Sequence, residues 1–128
     1  RDWPVLLVGT GNLGRALIGY KGFGQQGFRI VAAFDIDPEK IGGLIEGVPV
    51  HHFDDLPALA QQHAIRLAIL AVPAAAAQPV VERLRAAGIE GILNFAPVTL
   101  LLPPGMRQVG VDLAIELEQL SFSVVNRG

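Results

Sequence analysis

Near the start of the chain, Gly9, Gly11 and Gly14 stand in the spacing G-x-G-x-x-G within VLLVGTGNLGRALIG. The chemistry this spacing permits is done by backbone alone. Gly9 allows a tight turn, Gly11 has no side chain to hold a phosphate away, and Gly14 lets a following helix pack closely on the preceding strand. The first amides and the positive dipole end of that helix would face an anion. Gly9, Thr10, Gly11, Asn12, Leu13 and Gly14 therefore form a candidate pyrophosphate cradle. A dinucleotide site also needs an acid about 20 residues further on, to accept hydrogen bonds from ribose hydroxyls. Asp35 follows Gly14 by 21 residues, at the end of RIVAAFD. A carboxylate there repels a 2′-phosphate, and the following Ile36 and Asp37 bring no arginine to reverse the preference. NAD(H) is thus favoured over NADP(H). Asp37 reads as a helix cap.

Turnover of such a nucleotide requires an acid or base beside the nicotinamide and a place for a second substrate. Ligands of open α/β sheets lie outside the carboxyl ends of the strands, where the sequence offers AVPA and NFAP. Ala71, Val72, Pro73, Asn94, Phe95, Ala96 and Pro97 can line a nicotinamide or its ribose, but they cannot move a proton. His51 and His52 fall toward the adenosine side, His63 near a helix end, and the adjacent Tyr20 and Lys21 do not make a Tyr-x-x-x-Lys pair. Asp112 is the most interesting acid, and it also suits the cap of a last helix. No residue is expected to be catalytic. With no cysteine in the chain, thiolate metal sites, disulfides and a cysteine nucleophile are excluded, and no metal is expected.

These residues must be positioned by elements, and strand signals alternate with helix signals throughout. WPVLLVG, FRIVAAFD, VPVHHF, RLAILAV, IEGILNF and RQVGVDL read as strands. NLGRALIGYKGF reads as one helix closed by Gly22 and Gly24, and DPEKIGGLI as a short helix capped by Asp37. DDLPALAQQHA reads as a helix capped by Asp54 or Asp55, AAAAQPVVERLRAAG as a helix ending at Gly88, and AIELEQLSFSVVN as the last helix. APVTLLLPPG is a hydrophobic loop. This alternation predicts an α/β, doubly wound parallel sheet of the Rossmann type, with helices on both faces.

The chain of 128 residues bounds one domain with a real core. Hydrophobic residues make up 51% and charged residues 17%, with a net charge of -2 and no basic run. Direct contact with nucleic acid therefore has no electrostatic basis. No apolar run approaches the ~20 residues of a membrane helix, no signal peptide is recognisable, and no membrane partner is expected. The absence of disulfides fits a cytoplasmic protein. The chain opens on Arg1 and its single methionine is Met106, which reads as a fragment of something longer on the N-terminal side.

In the last helix Leu113, Leu117, Leu120 and Val124 form one stripe, and Ile115 and Phe122 lie on another side. Packing on one sheet face needs one stripe. The second leaves open either a broad apolar face within the domain's own core or a contact with a second subunit.

Over essentially the whole chain, in VGTGNLGRAL, AAFDIDPEKIGGLIEGVPVHHFDDL, AILAVPAAAAQPVVERL, GIEGILNFAPVTL and VDLAIELEQLSF, the sequence resembles the redox-sensing transcriptional repressors of the Rex family. The resemblance implies a Rossmann domain over 1–112 that binds NADH or NAD⁺. It also implies a C-terminal helix over 113–128 that is exchanged between the subunits of a homodimer. In that family an N-terminal winged-helix domain binds operator DNA, and a high NADH/NAD⁺ ratio releases it. Such a domain is missing from this chain, so the implied role is the nucleotide-sensing and dimerising half of a repressor, not an enzyme. By position, Gly9 to Gly14 would hold the pyrophosphate, Asp35 the ribose, and Val72, Pro73, Phe95, Ala96 and Pro97 the nicotinamide side. Two alternatives share the architecture: the cofactor domain of an NAD-dependent oxidoreductase, and a CoA-binding Rossmann domain.

Overall fold

The computed structural model describes residues 2–125, apart from the side chains of residues 115 and 116. Seven strands form one sheet in the order β3-β4-β2-β1-β5-β6-β7. They are β1 (Trp3–Val8), β2 (Phe28–Asp35), β3 (Leu44–Ile45), β4 (Val48–His52), β5 (Leu67–Leu70), β6 (Gly91–Asn94) and β7 (Arg107–Gly110). All pairings are parallel except that of β3 with β4. The expected doubly wound sheet is therefore present, with one short antiparallel strand added at its edge.

Strand β1 shows why the sheet is buried on both faces. Leu6 and Val8 pack with Phe34, Leu56 and Leu84 on one side, under α3 (Leu56–Gln62) and α4 (Ala74–Ala86). Val5 and Leu7 pack on the other with Leu17 and Ile18 of α1 (Asn12–Ile18) and Phe23 of α2 (Lys21–Gln25). On this second side an open apolar groove of about 410 Å³ remains over β5, β6 and β7, lined in part by Phe28, Ile30, Leu67, Leu93 and Val109.

Several local expectations are corrected. The single helix expected from residue 12 breaks into α1 and α2, because Tyr20 is extended (φ −75°, ψ 113°) and Gly22 and Gly24 lie inside α2. The break turns Phe23 onto the sheet, with Tyr20 edge-on against it at 4.9 Å. DPEKIGGLI makes turns rather than a helix. Asp37 does accept the amide of Glu39 at 3.0 Å, but the Gly42 amide then bonds to Val50 and the Val50 amide to Gly43 (2.9 and 3.0 Å). These glycines pair along β4 instead of continuing a helix. The β3–β4 hairpin turns at Glu46 and Gly47, whose φ values of +47° and +83° match the two-residue turn that a right-twisted ribbon needs. Neither Asp54 nor Asp55 caps α3 through its side chain. The Asp54 amide donates to His52 Nδ1 at 3.0 Å, over the 3-10 turn Phe53–Asp55. The Asp54 carboxylate instead takes Arg83 of α4 at 2.8 Å.

The last helix, α5 (Leu113–Val125), begins where Asp112 accepts the Ala114 amide at 3.0 Å, as the capping reading of Asp112 requires. Leu113, Leu117, Leu120 and Val124 are all exposed, and so are Phe122 and Val125. The stripe expected to pack on its own sheet therefore does not do so. The Ile115 side chain and residues 126–128 lie outside the described residues.

Candidate functional site

Strand register fixes the site before any side chain is considered. Val8 is level with Phe34 on one side and Leu70 on the other, Leu70 with Asn94, and Asn94 with Gly110. The next residue of each strand therefore falls on one edge of the sheet: Gly9, Asp35, Ala71, Phe95 and Val111. Backbone bonds continue the ladder there, from Gly9 N to Phe34 O (2.9 Å), Ala71 N to Val8 O (2.8 Å), Phe95 N to Leu70 O (2.9 Å) and Val111 N to Asn94 O (2.8 Å). From β1 the chain winds one way through α1 to β2; from β4 it crosses through α3 to β5 on the far side of β1. That reversal opens a crevice between the ends of β1 and β5, the usual ligand position of an open α/β sheet.

The glycine loop lies in this crevice, and its glycines have different reasons. Gly9 has φ +103°, and a Cβ there would run into the carbonyl of Ala71; a Cβ on Gly14 would run into the carbonyl of Gly9. The packing of the protein itself requires both to be glycine. A Cβ on Gly11 would meet nothing within 4 Å. Gly11 is exposed to the crevice, so the space in front of it is available to a ligand.

Across the loop, Asp35 is half-buried and heavily bonded. Its Oδ2 accepts the Thr10 amide at 3.0 Å and the Thr10 hydroxyl. Its Oδ1 accepts the amides of Ile36 and Asp37 at 2.8 and 3.0 Å. Burial works against the charged form, but the Thr10 hydroxyl and the amides of Asp37, Thr10 and Ile36 outweigh it and hold the carboxyl below its ordinary range. The acid is thus a fixed negative charge at the end of β2. Thr10, expected in the phosphate cradle, is fully buried with both its donors directed at Asp35.

At the other end of the crevice, a cavity of about 520 Å³ is lined by residues including Asn94, Ala96, Pro97, Val98 and Thr99. Asn94 is buried, and its amide faces inward: Nδ2 donates to Val98 O at 2.8 Å and Oδ1 accepts from Ala96 N at 2.9 Å. It shapes the turn after β6. Ala71, Val72 and Phe95 are half-buried, Ala96 is buried and Pro73 and Pro97 are exposed, so these strand ends do share one rim. Of the titratable candidates Asp112 joins them, lining the same cavity while it caps α5; the histidines do not. The His51 ring lies 5.9 Å from Phe34 on the far flank, His52 takes the Asp54 amide, and His63 follows α3 as its exposed C-cap. Among the described residues no group of three or more His, Cys, Asp or Glu side chains is arranged to hold a metal ion.

The sequence matches the CoA binding domain family over residues 1–98. The chain belongs to that family. Within it, the chain is similar to redox-sensing transcriptional repressors named Rex. The repressor of Rhodopirellula baltica is 50% identical over 126 residues, and that of Streptomyces coelicolor 48% over 122. These alignments cover 98% and 95% of this chain but 53% and 47% of those repressors, so the chain spans about half the length of the curated relatives it matches. The structure of RSP, a Rex-family repressor, in complex with β-NADH matches with a TM-score of 0.89 at 32% identity, covering 96% of this chain and 60% of RSP. The complex of RSP with β-NAD⁺ and operator DNA matches at 0.88 and 32% identity, covering 96% and 57%. The expected α/β fold and the Rex resemblance are both borne out, and these relatives are repressors rather than enzymes.

Sequence reasoning missed two residues of this CoA-binding-family domain. Gln108 on β7 donates to Leu100 O at 2.6 Å and accepts from Leu100 N at 3.3 Å. Gln78 on α4 makes the same reciprocal pair with Leu101, at 2.9 Å each way. With Asn94 they pin the hydrophobic loop 95–102 over the cavity beside β6. No motif marks the two glutamines. Thr10 is a named member of the expected cradle, but its hydroxyl bonds Asp35 rather than facing the crevice.

Proposed function

We propose that this chain is the nucleotide-sensing and dimerising domain of a Rex-type transcriptional repressor, and that it binds NADH and NAD⁺ as signals rather than as reagents. The observation that carries this is the fixed charge of Asp35 at the ribose position of a glycine-loop crevice; the acid that lines the cavity at its other end, Asp112, is engaged as the cap of α5. Gly9 to Gly14 take the pyrophosphate, Asp35 the adenosine ribose, and Ala71 to Pro73 with Phe95 to Pro97 the nicotinamide side. The similarity to RSP in complex with β-NADH supports the choice of nucleotide. Operator DNA is reached through a winged-helix domain outside these 128 residues, and the site of action is the cytoplasm. Among the described residues no helix is long and apolar enough to cross a membrane.

A second reading follows from the family match: CoA in the same crevice. The 3′-phosphate of CoA would meet the Asp35 carboxylate, which disfavours it. Titration of the chain with NADH, NAD⁺, NADPH and CoA decides between them. NADH is expected to bind tightest, with NADPH and CoA at least about tenfold weaker, since an unpaired charge clash is worth more than about 1.4 kcal/mol in a partly desolvated site. CoA binding tighter than NADH would overturn the assignment.

The exposed apolar side chains of α5 support the dimer reading. Leu117, Leu120, Phe122 and Val125 are each more than three-fifths exposed, and the apolar groove over β5, β6 and β7 offers the same chemistry in a second copy. Burying such a side chain is worth roughly 1.5–3 kcal/mol, so a few per subunit hold a dimer at micromolar concentration. Light scattering of the chain truncated after Asp112 is expected to show a monomer. A truncated chain that dimerises with unchanged affinity would show that α5 plays no part.

A further inference from the structure

We infer that Thr10 is a positioning residue for nucleotide choice: its buried hydroxyl holds the Asp35 carboxylate in the orientation that a ribose diol meets and a 2′-phosphate is repelled by. This rests on the NAD(H) reading above. Thr10 and Asn94 are the buried polar side chains among the described residues. Asn94 organises the turn that follows it, whereas Thr10 reaches across 25 residues of sequence to the acid at the end of the neighbouring strand. Its amide bonds to the same oxygen, Oδ2, so the backbone of the glycine loop is itself tied to the charge. Thr10 holds Oδ2 with two bonds, and the Ile36 and Asp37 amides hold Oδ1 with two. The side chain is thereby fixed in direction before any ligand arrives.

A hydrogen bond present both before and after binding cancels from the affinity unless it alters how often the site is ready. Apparent affinity scales with the ready fraction. With valine at position 10 the amide bond remains and the hydroxyl bond is lost, so the carboxylate gains orientations turned toward solvent. A ready fraction reduced to about one-fifth to one-tenth weakens NADH about five- to tenfold. NADPH responds differently, because its 2′-phosphate meets a fixed negative charge in the wild type and a charge able to move aside in the variant. The two affinities therefore converge. A purely structural role for Thr10 would lower stability and leave their ratio where it was.

The test is isothermal titration of the 128-residue chain and its Thr10→Val and Thr10→Ser variants with NADH and NADPH, beside a melting curve for each without nucleotide. Thr10→Val is expected to narrow the NADH/NADPH affinity ratio about tenfold, and Thr10→Ser, which keeps a hydroxyl, to restore most of it. Thr10→Ala carries the same expectation if the valine variant does not fold. An unchanged ratio in Thr10→Val or Thr10→Ala overturns the assignment, whatever happens to the melting temperature. So does tighter NADH binding, which would make the hydroxyl a competitor of the ribose, or a serine variant that behaves as valine does. A wild-type chain that binds NADH but is indifferent to position 10 removes this role alone. One that binds no NADH removes the nucleotide reading and this role with it.

Discussion

At the β2 end of the crevice a carboxylate accepts four hydrogen bonds and stands as a fixed charge. At the β6 end Asn94, Gln108 and Gln78 use their side-chain bonds to hold the loop over residues 95–102. Ala96, Pro97 and Val98 line the cavity there together with Asn94, Gln108 and the α5 cap Asp112. On the proposed reading the ribose facing Asp35 is identical in NADH and NAD⁺, so that end would read only which nucleotide is present. Reduction removes a positive charge from the nicotinamide ring, and an apolar surround favours the neutral ring over the cation. On that reading nucleotide identity and redox state would be sensed at opposite ends, joined by the glycine loop.

The largest expected effect comes from breaking the joint. Gly9→Ala forces a side chain onto a φ of +103° and into the Ala71 carbonyl, a combination of strain and overpacking worth about 2–5 kcal/mol. Thermal melting should fall sharply and NADH and NAD⁺ binding should both be lost. Gly11→Ala meets open space, so it should melt as the wild type does while weakening both nucleotides. Equal melting of the two variants would contradict the division between packing and ligand glycines.

Removing the charge at the adenosine end comes next. Asp35→Ala loses hydrogen bonds to a charged acceptor, each worth roughly 1.5–3 kcal/mol. NADH and NAD⁺ should weaken together, by about ten- to a hundredfold, and fluorescence titration that finds one affected alone would break the comparison. The same carboxyl has a pH signature. Its folded pKa lies below the ordinary 3.8, so its contribution to stability is complete above that value and is lost as pH falls through the folded one. Asp35→Asn should therefore flatten the acid side of the melting profile below about pH 4 and leave the neutral plateau lower than that of the wild type.

A smaller effect is expected at the other end. Val98 lines the nicotinamide-side cavity and is 39% exposed. A carboxylate introduced by Val98→Glu favours the cationic ring, so the NAD⁺/NADH affinity ratio should rise about three- to tenfold, as a partly screened charge pair allows. NADPH discrimination should not change. The smallest effect is none: NADH incubated with the chain and a panel of aldehydes, ketones and keto acids should keep its absorbance. Steady oxidation abolished by one side-chain replacement, Asp112→Asn first among them, would make that residue a proton-transfer group.

The parts of this site that could be read from the chain are those governed by short-range rules. The glycine spacing, the acid 21 residues later, the apolar strands and the Asp112 cap each depend on a few neighbours, and each is where it was expected. The helix expected over DPEKIGGLI is not, because Gly42 and Gly43 bond to Val50 in a strand the local pattern did not show. The single helix after the glycine loop also fails, because Phe23 gains more by turning onto the sheet than by continuing the helix.

Sequence alone determined the fold class, the nucleotide loop and the sign of the charge beside it, since backbone freedom, hydrophobic period and side-chain ionisation are properties of residues. Tertiary structure alone decided what those residues face. Parallel register set Gly9, Asp35, Ala71, Phe95 and Val111 on one edge. It turned Thr10 toward Asp35 rather than toward phosphate, and it left the apolar stripe of α5 uncovered. Direction and burial arise from contacts between segments distant in the chain, and no local pattern encodes them.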